Sequence, residues 1–91
     1  MTKYKVELNS IGDPERGQDP LKQVQGAWAV MAHTDTIEEA CEAVRVYMAK
    51  HDLSPANWAG GKLWTEENEY MGQITHDGTY KPKENDNIRA F

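Results

Sequence analysis

The sequence predicts an α+β fold: an antiparallel sheet of four strands, extending to a short fifth, with one helix on one face, in the chain order β-β-α-β-β. Three observations predict it. Residues 3–9 alternate apolar and polar at every step, Ile37 to Met48 carry a capped apolar stripe at three- and four-residue steps, and two strand-like runs follow residue 60 with turn residues between and after them.

Taken in order, KYKVELN (3–9) sets Tyr4, Val6 and Leu8 on one side and Lys3, Lys5 and Glu7 on the other, the pattern of a half-buried strand. SIGDPERGQDPLKQVQG (10–26) holds three glycines and two Asp-Pro steps, which is loop chemistry. Connections longer than about 12–15 residues without structure of their own are commonly functional or mobile. AWAVMAH (27–33) is apolar at odd and even positions and predicts a central strand covered on two sides, with Trp28 in the core.

The helix has the firmest signature. Asp35 and Thr36 each offer an N-cap with a glutamate three residues later, Glu38 and Glu39, as a capping box requires. Ile37, Ala40, Cys41, Val44 and Met48 then fall on one face, with Lys50 and His51 in the last turn where the macrodipole favours cations. Ser54-Pro55 ends it.

GKLWTEENEYMGQIT (61–75) is a hairpin with apolar residues at both odd and even positions. A two- or four-residue connection over Glu66–Glu69 pairs Trp64 with Met71 and Leu63 with Gly72. A three-residue connection would exchange Leu63 and Trp64 between faces. Asp77-Gly78 predicts a type I′ turn that pairs Thr75 with Tyr80 and starts a short strand at Thr79–Lys81. The sheet face away from the helix is therefore expected to hold Lys62, Trp64, Met71, Gln73, Thr75 and Tyr80. The chain is expected to form a single domain over 1–82, with a polar tail at 83–91.

Composition excludes several classes. The longest apolar run, Ala27–Ala32, is far short of the roughly 20 residues that span a bilayer, so no membrane association is expected. One cysteine, and an N-terminus without an apolar signal core, point to a reducing cytoplasm. A net charge of −5 disfavours direct nucleic-acid binding. His33, His51 and His76 lack zinc-ligand spacing, and DPERGQD (13–19) has Gly17 where a calcium loop needs an oxygen ligand. Cys41 falls on the apolar stripe of the helix, where a thiol packs as a small hydrophobe. Gly60-Gly61 is too short to cradle a phosphate, and the paired carboxylates lie in polar runs. No cofactor, metal or enzymatic activity is expected.

What remains is a binding surface. Trp64, Met71 and Tyr80, edged by Lys62, form an apolar patch that a lone helix leaves uncovered. The 10–26 loop folding back, a second copy or a partner could cover it. Acids gather at the helix start (Glu38, Glu39, Glu42) and the hairpin tip (Glu66, Glu67). In size, acidity and lack of a catalytic set, the chain resembles in type the small inhibitors that phages and mobile elements direct against host defence systems. That likeness implies a protein partner, a basic nucleic-acid-binding complex whose groove the acids would enter. The alternatives are a homo-oligomeric module, such as a homodimer with outer sheet faces packed together, and a nucleic-acid binder that stacks bases on the lysine-edged sheet.

Overall fold

The computed structural model describes residues 3–83; most of the 83–91 tail lies outside the described residues. The elements are β1 (Tyr4–Leu8), β2 (Val30–Thr34), α1 (Ile37–Lys50), β3 (Lys62–Thr65), β4 (Tyr70–Ile74) and β5 (Tyr80–Pro82), with short 3₁₀ turns at Pro14–Arg16 and Pro55–Asn57. The α+β class stands. All five strands form one antiparallel sheet in the spatial order β2-β1-β3-β4-β5.

The alternation in β1 acts as expected. Val6 and Leu8 are buried and Tyr4 packs beside them against α1. Their partners across the sheet, Ala32 on β2 and Leu63 on β3, extend the same face. Ala40, Cys41, Val44, Tyr47 and Met48 bury the facing side of α1. Val6, Val44, Leu63 and Ile74 are fully buried, each worth roughly 1.5–3 kcal/mol of apolar transfer. The helix starts at the capping box formed by Thr36 and Glu39: each side chain accepts from the other residue's backbone N–H, at 3.0 and 3.2 Å.

Three expectations are corrected. Residues 27–33 do not form a central strand: β2 lies at the sheet edge, Val30 is exposed, and so is Trp28, which was expected in the core. Only the α1 side of this strand is covered, where Ala32 packs against the core, while Met31 on the other face stays exposed.

The second correction concerns the β3–β4 hairpin. It closes with the Thr65 N–H donating to the Glu69 carbonyl (2.9 Å), which leaves a three-residue loop, Glu66–Asn68, with Asn68 left-handed at φ 72°. Alone, that loop would put Trp64 in the core. A bulge after Leu63 cancels the exchange: Trp64 pairs with Tyr70, Leu63 still pairs with Gly72, and Met71 is the additional residue.

The third concerns Tyr80. The Thr75 N–H donates to the Thr79 carbonyl (2.9 Å), so the β4–β5 loop is the three-residue His76–Gly78, with Gly78 alone at positive φ. Ile74 rather than Thr75 pairs with Tyr80, which moves to the helix side. There Tyr80 and Met71 both pack against the core, and the Tyr80 hydroxyl donates to the Met71 carbonyl at 2.7 Å.

Inside the β4–β5 loop, the Asp77 carboxylate accepts from the Thr75 hydroxyl and from the Thr79 N–H (3.2 Å), and these bonds hold its pKa below the ordinary 3.8. A depressed carboxylate stabilises the fold above its unfolded value and loses that contribution as pH falls through the folded one. In an NMR titration Asp77 should therefore show a midpoint below 3.8, with the Gly78 amide shift following it.

Candidate functional site

With α1 occupying one face of the sheet, the site is what remains on the other. Register puts Met31 and His33 (β2), Lys5 and Glu7 (β1), Lys62 and Trp64 (β3), Tyr70 and Gln73 (β4) and Lys81 (β5) on this outer face. At its centre the Trp64 and Tyr70 rings meet edge to face, with centroids 6.4 Å apart. Tyr70 and Met31 are each 38 % exposed and Trp64 is half-buried. Lys5 lies directly across from Trp64, and its ammonium donates to Asn68 at the hairpin tip.

The 10–26 loop leaves this face open because its bonds run elsewhere. The Arg16 guanidinium reaches the Asp52 carbonyl (2.9 Å) and Asn57 (3.1 Å). Asp13, itself buried, accepts from the Ser54 hydroxyl at 2.8 Å, and the Ser10 hydroxyl donates to the Ala27 carbonyl at 2.6 Å. The loop is thereby fastened to residues 52–57 at the end of the sheet where α1 finishes. The Asp13 carboxylate, considered above as part of a calcium loop, is consumed in turn geometry, its second oxygen accepting from the Glu15 N–H.

Of the residues expected at the site, Trp64 and Lys62 are on the outer face, whereas Met71 and Tyr80 are on the opposite side of the sheet. The acidic residues divide as well. Glu66 and Glu67 sit at the β3–β4 tip, where Glu66 Oε2 lies 2.6 Å from His33 Nδ1. Glu39 is at the same end of the molecule, beside Asp35, which pairs with Lys3 at 3.3 Å. Glu42 instead accepts from Arg45 (3.0 Å), whose guanidinium also reaches the Gly78 carbonyl (3.2 Å), and so faces the β4–β5 side of α1. Glu38 is exposed in the first helical turn.

The residues that sequence reasoning missed here are Tyr70, Met31 and His33. Asn68 was the available signal for Tyr70. An asparagine tolerates left-handed φ, which favours the three-residue loop and turns Tyr70 outward.

Cys41 is buried among Ala40, Val44 and the sheet, and burial pushes its thiol up, so it packs as an apolar group. Among the described residues no group of three or more histidine, cysteine or carboxylate side chains is placed to hold a metal, and no helix is long and apolar enough to cross a membrane. Compared with protein-family models, curated proteins and solved structures, the chain matches none.

Proposed function

We propose that the chain is a small non-catalytic protein-binding module of the inhibitor type, acting in the cytoplasm on a protein that holds nucleic acid in a basic groove. The observation that carries this reading is the Trp64–Tyr70 pair, an aromatic contact on a sheet face that neither α1 nor the long loop covers. Partly exposed paired aromatics, ringed by polar groups, are the composition of interface anchors. The acids at the adjoining end, Asp35, Glu39, Glu66 and Glu67, together with the net charge of −5, support a basic partner and would steer its approach. Inhibition then needs no chemistry, only occupancy of the groove.

Competition tests it. The chain is titrated into purified nucleic-acid-binding defence complexes carrying labelled nucleic acid. Wild type should displace the label, and Trp64→Ala with Tyr70→Ala should weaken displacement at least about tenfold. Glu66→Lys with Glu67→Lys should slow association and flatten its salt dependence. Glu39 is spared because its carboxylate closes the capping box. Displacement that survives both double variants defeats the proposal. Label that binds the chain itself, with an affinity lost on Lys5→Glu and Lys62→Glu, would move the function to nucleic-acid binding on the same face.

A further inference from the structure

We propose that the β2 edge and the adjoining side of α1 form the interface of a two-fold dimer of this chain. The inference goes beyond the proposed function and uses the edge of the sheet rather than its outer face; of the acids named above it engages only Glu39.

The two edges of the sheet are not alike. The β5 edge carries Lys81 and Pro82, residues that discourage further strand pairing. The β2 edge reads Val30-Met31-Ala32-His33-Thr34, with no lysine, proline or bulge to blunt it. Its free backbone groups can be assigned. The Glu66 N–H donates to the Lys3 carbonyl (3.0 Å), so the odd-numbered residues of β1 direct their backbone bonds to β3. Tyr4, Val6 and Leu8 therefore bond to Thr34, Ala32 and Val30. The N–H and carbonyl groups of Met31 and His33 are left pointing out of the sheet. A second β2, antiparallel about a two-fold axis at Ala32, would pair Met31 with His33 of the other copy twice over and join two sheets into one.

Side chains beside this edge favour a second copy as the occupant. Between β2 and α1 lies an open groove of ≈ 460 Å³, lined among others by Trp28, Val30, Ala43, Val46 and Lys50. Trp28, Val30 and Val46 are 54, 53 and 53 % exposed, an unusual concentration for so small a chain. At the other end of the same side, Glu39 lines a recess with His33, Thr34 and Asp35. Glu39, Ala43, Val46 and Lys50 thus form a helical stripe that runs from acid through apolar to base.

Only Asp35 and Thr36 separate β2 from α1, so the helix returns along its strand. The two-fold axis that pairs the strands accordingly sets the two helices antiparallel. The Lys50 end of each stripe then meets the Glu39 end of the other, with the apolar residues between. Glu39 caps the helix through Oε1, which leaves Oε2 for the lysine. The stripe is complementary to itself in this orientation and to no parallel copy.

Sedimentation equilibrium over a dilution series is the test. The full chain should approach twice its 10.3 kDa mass as concentration rises. Val46→Glu places a carboxylate in the apolar seam on an exposed helical position and should raise the dissociation constant at least about tenfold. Met31→Pro deletes an outward N–H that the monomer does not use and should do the same. Circular dichroism confirms that each variant keeps its helix; should Met31→Pro fail to fold, Val46→Glu and Lys50→Glu carry the test. A chain of 10.3 kDa at every concentration overturns the proposal. So does a dimer that survives Val46→Glu, or one that only Trp64→Ala dissolves.

Discussion

Asn57→Ala is expected to destabilise the protein by about 3 kcal/mol and to release the 10–26 loop, although Asn57 touches neither proposed surface. The side chain is fully buried. Its amide nitrogen donates to the Ile11 carbonyl (2.7 Å) and to Gln18 Oε1 (2.9 Å), and its oxygen accepts from the Ser54 N–H (2.9 Å), the Ser54 hydroxyl (3.0 Å) and Arg16 (3.1 Å). Arg16 keeps Asp52 as a partner and the Ser54 hydroxyl keeps Asp13, so those two donors stay satisfied without Asn57. The Ile11 carbonyl and the Ser54 N–H have no such replacement. Two stranded polar groups at about 1–3 kcal/mol each give the expected loss. Asn57→Asp should cost about as much, because it sets an acceptor against two acceptors. Urea denaturation measures the loss. Hydrogen exchange locates it: the Ile11 amide, bonded to the Asn57 carbonyl at 2.9 Å, and the Gly12 amide, bonded to Lys22, should exchange faster than those of β1. Equal protection in both segments would mean that the loop is held by something other than this hub.

The sequence displayed whatever depends on local periodicity. The alternation around Val6 and the stripe through Val44 are patterns of period 2 and 3.6, and each named its own buried face. Capping was equally local, since Thr36 and Glu39 are three residues apart. Failures began where one residue of loop length decides a face. Glu66–Asn68 and His76–Gly78 are three-residue loops, and each shifts the register by one relative to the two-residue alternative. In the first hairpin the bulge at Met71 restores the shift, so Leu63 stays buried as expected while Met71 itself crosses over. In the second nothing restores it, and Tyr80 crosses to the helix. Trp28 failed for another reason. Apolar residues on both faces mark a central strand or an edge awaiting a neighbour, and periodicity does not separate these.

The proposed surfaces are compatible in space. The outer face around Trp64 lies perpendicular to the hydrogen-bonding direction of the sheet, whereas the β2 edge lies along it. A dimer through β2 would leave both outer faces open on one continuous sheet, facing the same way. Two linked contacts bind far more tightly than one whenever the partner offers two grooves at that spacing. Val46→Glu should then weaken competition against a two-groove partner and leave a single-groove partner unaffected, whereas Trp64→Ala weakens both.

Gly61→Ala is the second large effect, expected to cost at least about 3 kcal/mol through backbone strain and a forced shift of β4. Gly60 and Gly61, too short to cradle a phosphate, are where three segments of backbone converge. The Gly61 N–H donates to the Glu7 carbonyl and its own carbonyl accepts from the Ile74 N–H, both at 2.7 Å. Its φ is 109°, and a Cβ here would stand 2.2 Å from the Ile74 carbonyl oxygen and 3.1 Å from Trp58 Nε1. The Ile74 oxygen cannot withdraw freely, because the Trp58 indole donates to it at 3.1 Å and Ile74 is fully buried. Gly17 provides the comparison: its φ is 75° and nothing lies within 4 Å of its Cβ position. Gly17→Ala should therefore cost only about 1 kcal/mol, the conformational part alone. Denaturation midpoints of the two variants separate the contributions. If they fall together, close approach at Gly61 adds nothing and positive φ accounts for the whole cost; a clear gap, with altered Trp58 emission in Gly61→Ala alone, assigns the difference to the Ile74 contact.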